Sequence, residues 1–401
     1  MKLSEKKSPS LVLSGGGVKA AAFHVGVCMA LREKGFRFAG GSPERVAKDF
    51  PDDSMTFKTY VGSSAGSIVS TILAAGYNVE SLIDAFALGA GLKSRRATQF
   101  SSPPLKAIGY KDIFAINLEA GKLSRFFPDL FKKKPVITGG LEALLKKGFK
   151  VNGLFSSRNL EKYLRENVLE SNSFDALGVS LYIIATQLNH SRKVVFGDFD
   201  QTTKNEDIKY ANFASISDAC AASASLPPAF KPYGIKNQKG KELHFFDGEI
   251  RDTLSTHVPY DLGSDLIIAS YSIQPYHYNK EIGSLSDYGI PAIFNQALYQ
   301  VVEQKINKHI KHISQLRGLI NSVNGYLKEI NLPNDQREKL MEILLSKTDF
   351  KPEVDTIYIH PSAQDYKMFF YDHFSLNPDI LSKIVKIGFR SAMDKLRHHV
   401  I

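Results

Sequence analysis

The sequence predicts an α/β fold built on a mainly parallel sheet. Two observations carry this. An apolar strand, Pro9–Leu13, runs into Ser14-Gly15-Gly16-Gly17 and then a helical segment, Lys19–Lys34. A second strand, Thr56–Val61, stops at Gly62-Ser63-Ser64-Ala65-Gly66 and restarts as a helix over Ser67–Ala75. Strand, tight small-residue turn, helix, repeated, is the grammar of parallel βα units.

Further elements follow in order. Val179–Thr186 and Lys193–Phe196 read as strands, and Ser215–Ser223 as a helix that Pro227-Pro228 prevents from continuing. His244–Asp247 and Asp265–Tyr271 read as strands. Ala292–Leu327 is a long helix: Val302, Ile306, His309, Ile313, Leu316, Ile320, Val323 and Leu327 recur at alternating steps of four and three, a narrow apolar seam. The seam predicts packing on the chain's own sheet, with a second copy in a homodimer as the alternative. A strand at Thr356–Ile359 and a helix at Asp379–Leu396 end the pattern. Residues 95–155 break it, and read as a lid-like helical insertion.

Composition narrows the class. The 401 residues are 43% hydrophobic and 23% charged, as globular chains are. Two cysteines, Cys28 and Cys220, exclude a disulfide framework; both fall in predicted helices and read as packed thiols. Residues 1–10 lack the pattern of a cleaved signal, and the longest apolar stretch, Ala20–Leu31, contains His24 and reads as a buried helix. A cytoplasmic protein, peripheral at membranes, is expected, a reading compatible with export by a route without a cleaved signal. The net charge of +10 favours an anionic partner: a membrane surface, a nucleic acid or a phosphate-bearing substrate. No nucleic-acid-binding motif accompanies it, so no nucleic acid is expected.

The chemistry concentrates in short motifs. Gly62–Gly66 fits G-x-S-x-G with Ser64 central, and the strand before it and helix after it are the context a nucleophile elbow requires. Its small neighbours let the backbone bend sharply; a tight βα turn without chemistry is the plainer alternative. Gly15, Gly16 and Gly17 between strand and helix leave backbone N–H groups open to a phosphate or an oxyanion. This is neither a P-loop, whose G-x-x-x-x-G-K-[ST] spacing is missing, nor a G-x-G-x-x-G fingerprint, because position 20 is Ala. Lys19 reads as a first-turn lysine that is either solvated or faces an anionic substrate group. Asp247, at the end of the aromatic strand Phe245-Phe246, reads either as an active-site carboxylate or, more commonly for such a pair, as the start of an ordinary Asp-Gly turn. No His/Cys/Asp cluster has metal-ligand spacing, so neither metal nor cofactor is expected.

In this order the motifs resemble the patatin-like phospholipase family and, more distantly, the cytosolic phospholipase A2 catalytic domain. Ser14–Lys19 is similar to the family's glycine-rich oxyanion motif, Gly62–Gly66 to its nucleophile elbow, Ala222–Pro232 to its Ala-Ser-x-x-x-Pro-x-x-Phe segment and Asp247-Gly248 to its Asp-Gly-Gly/Ala motif. Ala185-Thr186-Gln187-Leu188 is similar to a frequent Ala-Thr-Asp-Leu. The resemblance implies one three-layer α/β/α domain over residues 1–401, with the insertion at about 95–155 and a helical region at about 292–401. It implies a Ser64–Asp247 dyad without a catalytic histidine, an oxyanion hole from the amides of Gly15, Gly16 and Gly17, and hydrolysis of phospholipid or lysophospholipid acyl esters. Two positions depart from the pattern: Ala20 replaces the usual glycine, and Glu249 replaces Gly or Ala. If that backbone needs a positive φ, Glu249 is strained, and its carboxylate raises the pKa of Asp247.

Two other readings remain. A Ser–His–Asp hydrolase would use His257, His360 or His373, all downstream of Asp247, while His24 and His244 read as structural. A non-catalytic lipid- or phosphate-binding protein would keep the glycines and Lys19 without using the dyad. In the insertion, Phe126, Phe127, Leu130 and Phe131 beside Lys132–Lys134 suit an anionic membrane interface as well as a core helix with a solvated lysine run.

Overall fold

Pro9–Leu13 forms β1, with every residue buried. A strand covered on both faces requires layers on both sides. The alternation of its side chains shows them: Leu11 and Leu13 enter one apolar core, Val12 the other. The computed structural model describes residues 2–51, 54–86, 105–117, 152–204, 207–251, 253–348 and 350–400. Most of the expected insertion, including Phe126–Lys134, lies outside the described residues.

The sheet comprises β1, β2 (Thr59–Ser63), β3 (Ser180–Gln187), β4 (Arg192–Phe196), β5 (Ile208–Ala211), β6 (Tyr233–Lys236), β7 (Glu242–Asp247), β8 (Leu266–Ser270), β9 (Asp355–Ile359) and the two-residue strand Thr203–Lys204. Its order is β9-β8-β1-β2-β3-β4-β5, then Thr203–Lys204. The five strands from β9 to β3 are parallel to one another. β4 and β7 join β3 antiparallel, and β6 pairs with β7. The fold is thus mixed α/β with a mainly parallel central sheet and helices on both faces.

Helix α1, Gly17–Glu33, is buried continuously from Val18 to Leu31. Such a helix needs cover all round. The sheet lies on one side of it, with α2 (Ala65–Ala74) beside it; the C-terminal helix Pro378–Leu396 covers the rest. The two backbones nearly touch. A Cβ on Gly26 would stand 2.0 Å from the Val385 carbonyl oxygen, and one on Gly388 would stand 2.2 Å from that of Phe23. The opposite face of the sheet is covered partly by the helix Gly289–Glu329, whose Ile306 packs with Val12, Ile267 and Val354.

The reading of the chain holds for most elements, with differences. The expected strand Thr56–Val61 is two: Thr56–Phe57 pairs with Arg37–Phe38 in a separate ribbon, and only Thr59–Ser63 joins the main sheet. Strands β5 and β6 and the helix Arg158–Asn167 were not expected. The long helix reaches 41 residues; Ile306, Ile320 and Leu327 of its seam are buried within the chain, while His309 is exposed. Among the described residues no helix is long and apolar enough to cross a membrane.

Candidate active site

The register of the sheet assembles the site. Leu13 pairs with Gly62, so the glycine loop after β1 and the elbow after β2 leave the sheet side by side. Ser63 pairs with Ile184 of β3, and the next residue, Ala185, pairs with Asp247 at the end of β7. Residues far apart in sequence thus converge at one end of three adjacent strands and a hairpin.

Ser64 stands at the turn into α2 with φ 50° and ψ −121°, a strained geometry for a non-glycine residue. Gly66 is required beside it: a Cβ there would lie 2.1 Å from the Leu13 carbonyl oxygen. The Ser64 N–H donates to Ser223 Oγ at 2.7 Å, and Ser223 donates in turn to the Ile184 carbonyl at 2.5 Å. The Ser64 carbonyl accepts from Ser67 Oγ at 2.6 Å and from the Ser67 N–H at 3.0 Å. The elbow is therefore held at both the N–H and the carbonyl of Ser64. The segment Ala222–Pro232, which by itself reads only as a helix running into a rigid loop, supplies Ser223 to the Ser64 N–H and the Ser225 carbonyl to the Asp247 N–H, at 3.1 Å.

Asp247 is fully buried, and that burial raises its carboxyl to about 6. Hydrogen bonds from Ser64 and from the Glu249 N–H, the latter at 2.9 Å, act in the opposite direction and favour its ionised form. Serine and carboxylate are thus brought together. Glu249 occupies the short 3-10 turn Gly248–Ile250 outside the left-handed region, so the strain anticipated there is absent. The shift of Asp247 comes from burial rather than from this second carboxylate.

The three glycine amides are not equivalent. The Gly15 N–H donates to Glu249 Oε1 at 2.8 Å. Gly16, at φ 133°, and Gly17, at φ 71°, have no acceptor for their N–H groups among the described residues. They lie at the start of α1, where the helix dipole favours negative charge. Two amides of the expected oxyanion hole are therefore open, and one is engaged by a side chain of the same molecule. His24, inside α1, supports the loop from below. Its Nε2 donates to the Ser14 carbonyl and its Nδ1 accepts from Ser270 Oγ, both at 2.8 Å, and burial lowers it to about 4.

Lys19 does not face the cleft. It is fully buried, and its ammonium reaches Tyr299 Oη at 2.8 Å and the Met368 carbonyl at 3.0 Å. Burial lowers it to about 7. The reading of Lys19 as a contact for a substrate anion gives way to an internal one, because the side chain points under the loop. The histidines considered for a triad also lie elsewhere. His257 meets Lys193 Nζ, His360 stacks on Tyr271, and His373 lies between Tyr299 and the Gly16 carbonyl.

An apolar cleft opens over Ser64 and Gly17. Val18, Ile68, Phe86, Ile108 and Leu160 line it. Phe114, Phe155, Phe230 and Phe374 form one cluster, with Phe114 4.9 to 5.5 Å from the other three ring centroids, and Phe230 and Phe374 reach the cleft. The lining around Ser64 is thus almost wholly apolar, as ligand pockets for apolar groups are.

A strained serine after a parallel strand, a buried carboxylate partner and a glycine loop at a helix N-terminus define a serine-elbow protein of the α/β class. The sequence profile of the patatin-like phospholipase family matches residues 11–260, and the chain belongs to that family. No curated protein matches the chain. Among solved structures, VipD from Legionella pneumophila aligns over 98% of this chain and 67% of its own, at 16% identity and a TM-score of 0.38, too distant a likeness to bear on individual residues.

Proposed function

We propose that the chain is a lipid acyl hydrolase that cleaves fatty acyl esters of phospholipids or lysophospholipids. Ser64 Oγ attacks the ester carbonyl while Asp247 accepts its proton. The oxyanion forms against the open amides of Gly16 and Gly17. Asp247 returns the proton to the departing alkoxide, and the acyl group stays on Ser64. Water, deprotonated by the same carboxylate, then releases the fatty acid. An acyl chain fits the Phe-lined cleft, and the net charge of +10 favours a peripheral site of action at an anionic membrane surface.

One observation carries this reading: Ser64, strained at φ 50° and lining an apolar cleft, stands beside the buried Asp247 carboxylate, whose ionised form it favours. The test is fatty-acid release from mixed phospholipid vesicles. Ser64→Ala and Asp247→Asn should each abolish release while retaining the circular dichroism of the wild type, and replacement of His257 or His360 should leave it intact. Release that survives Asp247→Asn but is lost without one of those histidines would replace the dyad by a triad. Vesicle binding without release by the wild type would favour a binding protein.

A further inference from the structure

His373 and Tyr299 lie beyond residue 260, where the family match ends, yet His373 reaches the Gly16 carbonyl and Tyr299 reaches both His373 and Lys19. The hydrogen bonds connecting them have a forced direction. A carbonyl oxygen only accepts, so His373 Nδ1, 3.2 Å from the Gly16 oxygen, carries the proton. In the neutral ring Nε2 then accepts, and its partner at 2.9 Å is the Tyr299 hydroxyl, which must donate. That hydroxyl has given its one proton to Nε2, so toward Lys19 Nζ, 2.8 Å away, its oxygen accepts. Asn295 also contacts the hydroxyl, and Asp372 is the acidic group whose charge Lys19 senses. All the bonds point one way, from the buried Lys19 nitrogen to one carbonyl.

That carbonyl is one end of a planar peptide whose other end is the Gly17 N–H. A hydrogen bond on the oxygen strengthens the opposite N–H as a donor, and bonds in series reinforce one another. The His373 carbonyl closes the arrangement by accepting the Lys19 N–H at 3.3 Å. We propose that Lys19, Tyr299 and His373 form a positioning relay that aims and polarises the Gly16–Gly17 peptide, so that the Gly17 N–H becomes the principal oxyanion donor. The relay rests on the acyl-hydrolase reading for its purpose, and on the hydrogen-bond directions for its existence.

Two measurements test it on the full-length protein. The first is the tautomer of His373, read by nitrogen NMR on histidine-labelled protein and assigned by the signal lost in His373→Asn. The relay requires the proton on Nδ1; a proton on Nε2 overturns it. The second is a kinetic series. Tyr299→Phe removes one hydroxyl and should lower kcat about tenfold, less than the roughly 10²–10³ lost when an oxyanion donor is deleted. KM should hold, and affinity for a trifluoromethyl ketone, which forms an oxyanion on Ser64, should fall with kcat. His373→Ala should lose more than Tyr299→Phe. His373→Asn, whose amide nitrogen stands near Nδ1 and donates to Gly16, should recover part of the loss. Tyr299→Phe with a lower Tm but unchanged kcat and ketone affinity would reduce the cluster to packing and overturn the relay. A wild type without esterase activity or ketone binding would instead overturn the functional reading, and the tautomer would still decide whether the relay exists.

Discussion

Asp247 shows at the residue scale how a reactive group is poised. Its folded value of about 6 lies above the ordinary 3.8, because burial penalises the charge. As a base it must be ionised, so kcat/KM should rise with pH through about 6, read as the acid limb of the rate profile. The same shift affects stability in a defined direction. In the unfolded chain the carboxyl ionises near 3.8, in the fold only near 6, so the stability tied to its neutral form is full below the first value and lost as pH rises through the second. Asp247→Asn, a mimic of the neutral acid, should therefore match the wild type near pH 3.5 and exceed it at neutral pH. The gain should reach at most about 3 kcal/mol at about 1.4 kcal/mol per pKa unit. Thermal unfolding of both proteins across pH checks this; equal stability at every pH would remove the claim that burial sets the value.

Glu249 poses the next residue question. The sequence marks it as a departure from the family pattern, but nothing in the sequence shows that its side chain reaches back to the Gly15 amide, 234 positions away. Glu249→Gln keeps an acceptor for that amide, whereas Glu249→Ala leaves it without this one. Loss of such a bond costs about 1–3 kcal/mol when the donor stays buried. Fatty-acid release should therefore be close to wild type in the Gln variant and several-fold lower in the Ala variant, with a lower Tm. Higher activity in the Ala variant would show that the carboxylate obstructs the loop rather than supports it.

At the scale of elements, Ser223 belongs to one helix and disciplines another. It ends the helix Ile216–Ser223 and, through its hydroxyl, ties the Ser64 N–H to the Ile184 carbonyl of β3. Ser223→Ala should cost about 1–3 kcal/mol and slow labelling of Ser64 by a fluorophosphonate, because the strained elbow loses its external tether. Unchanged labelling would mean that the turn holds itself. Elements of this kind divide into legible and illegible for physical reasons. Strands β1 and β8 and helix α1 were legible because continuous apolar runs bounded by small or polar residues have few other solutions. The break at Lys58 was not, because it depends on Arg37–Phe38 arriving to pair with Thr56–Phe57. Likewise the nucleophile, carboxylate and glycines announce themselves by spacing, whereas Lys19 carries no local sign that its ammonium turns toward Tyr299.

Across the whole molecule, the region after residue 260 encloses the part that carries Ser64 and Asp247 in two separate ways. The C-terminal helix seals α1 where Gly26 meets Val385 and Gly388 meets Phe23, and the segment around His373 grips the glycine loop. The first contact is packing and the second is hydrogen bonding to the reactive end of the same helix, so the two should fail differently. Gly388→Leu forces a side chain into a space bounded by the Phe23 carbonyl, 2.2 Å from the first added carbon, and overpacking of this kind typically costs about 1–3 kcal/mol. Its Tm should fall proportionally more than kcat per folded molecule, because the added side chain meets α1 at Phe23, below the glycine loop rather than at it. Tyr299→Phe should do the reverse, lowering kcat with little change in Tm. If both variants lose stability and rate together, the C-terminal region acts as one structural unit, and its two contacts with α1 cannot be assigned separate tasks.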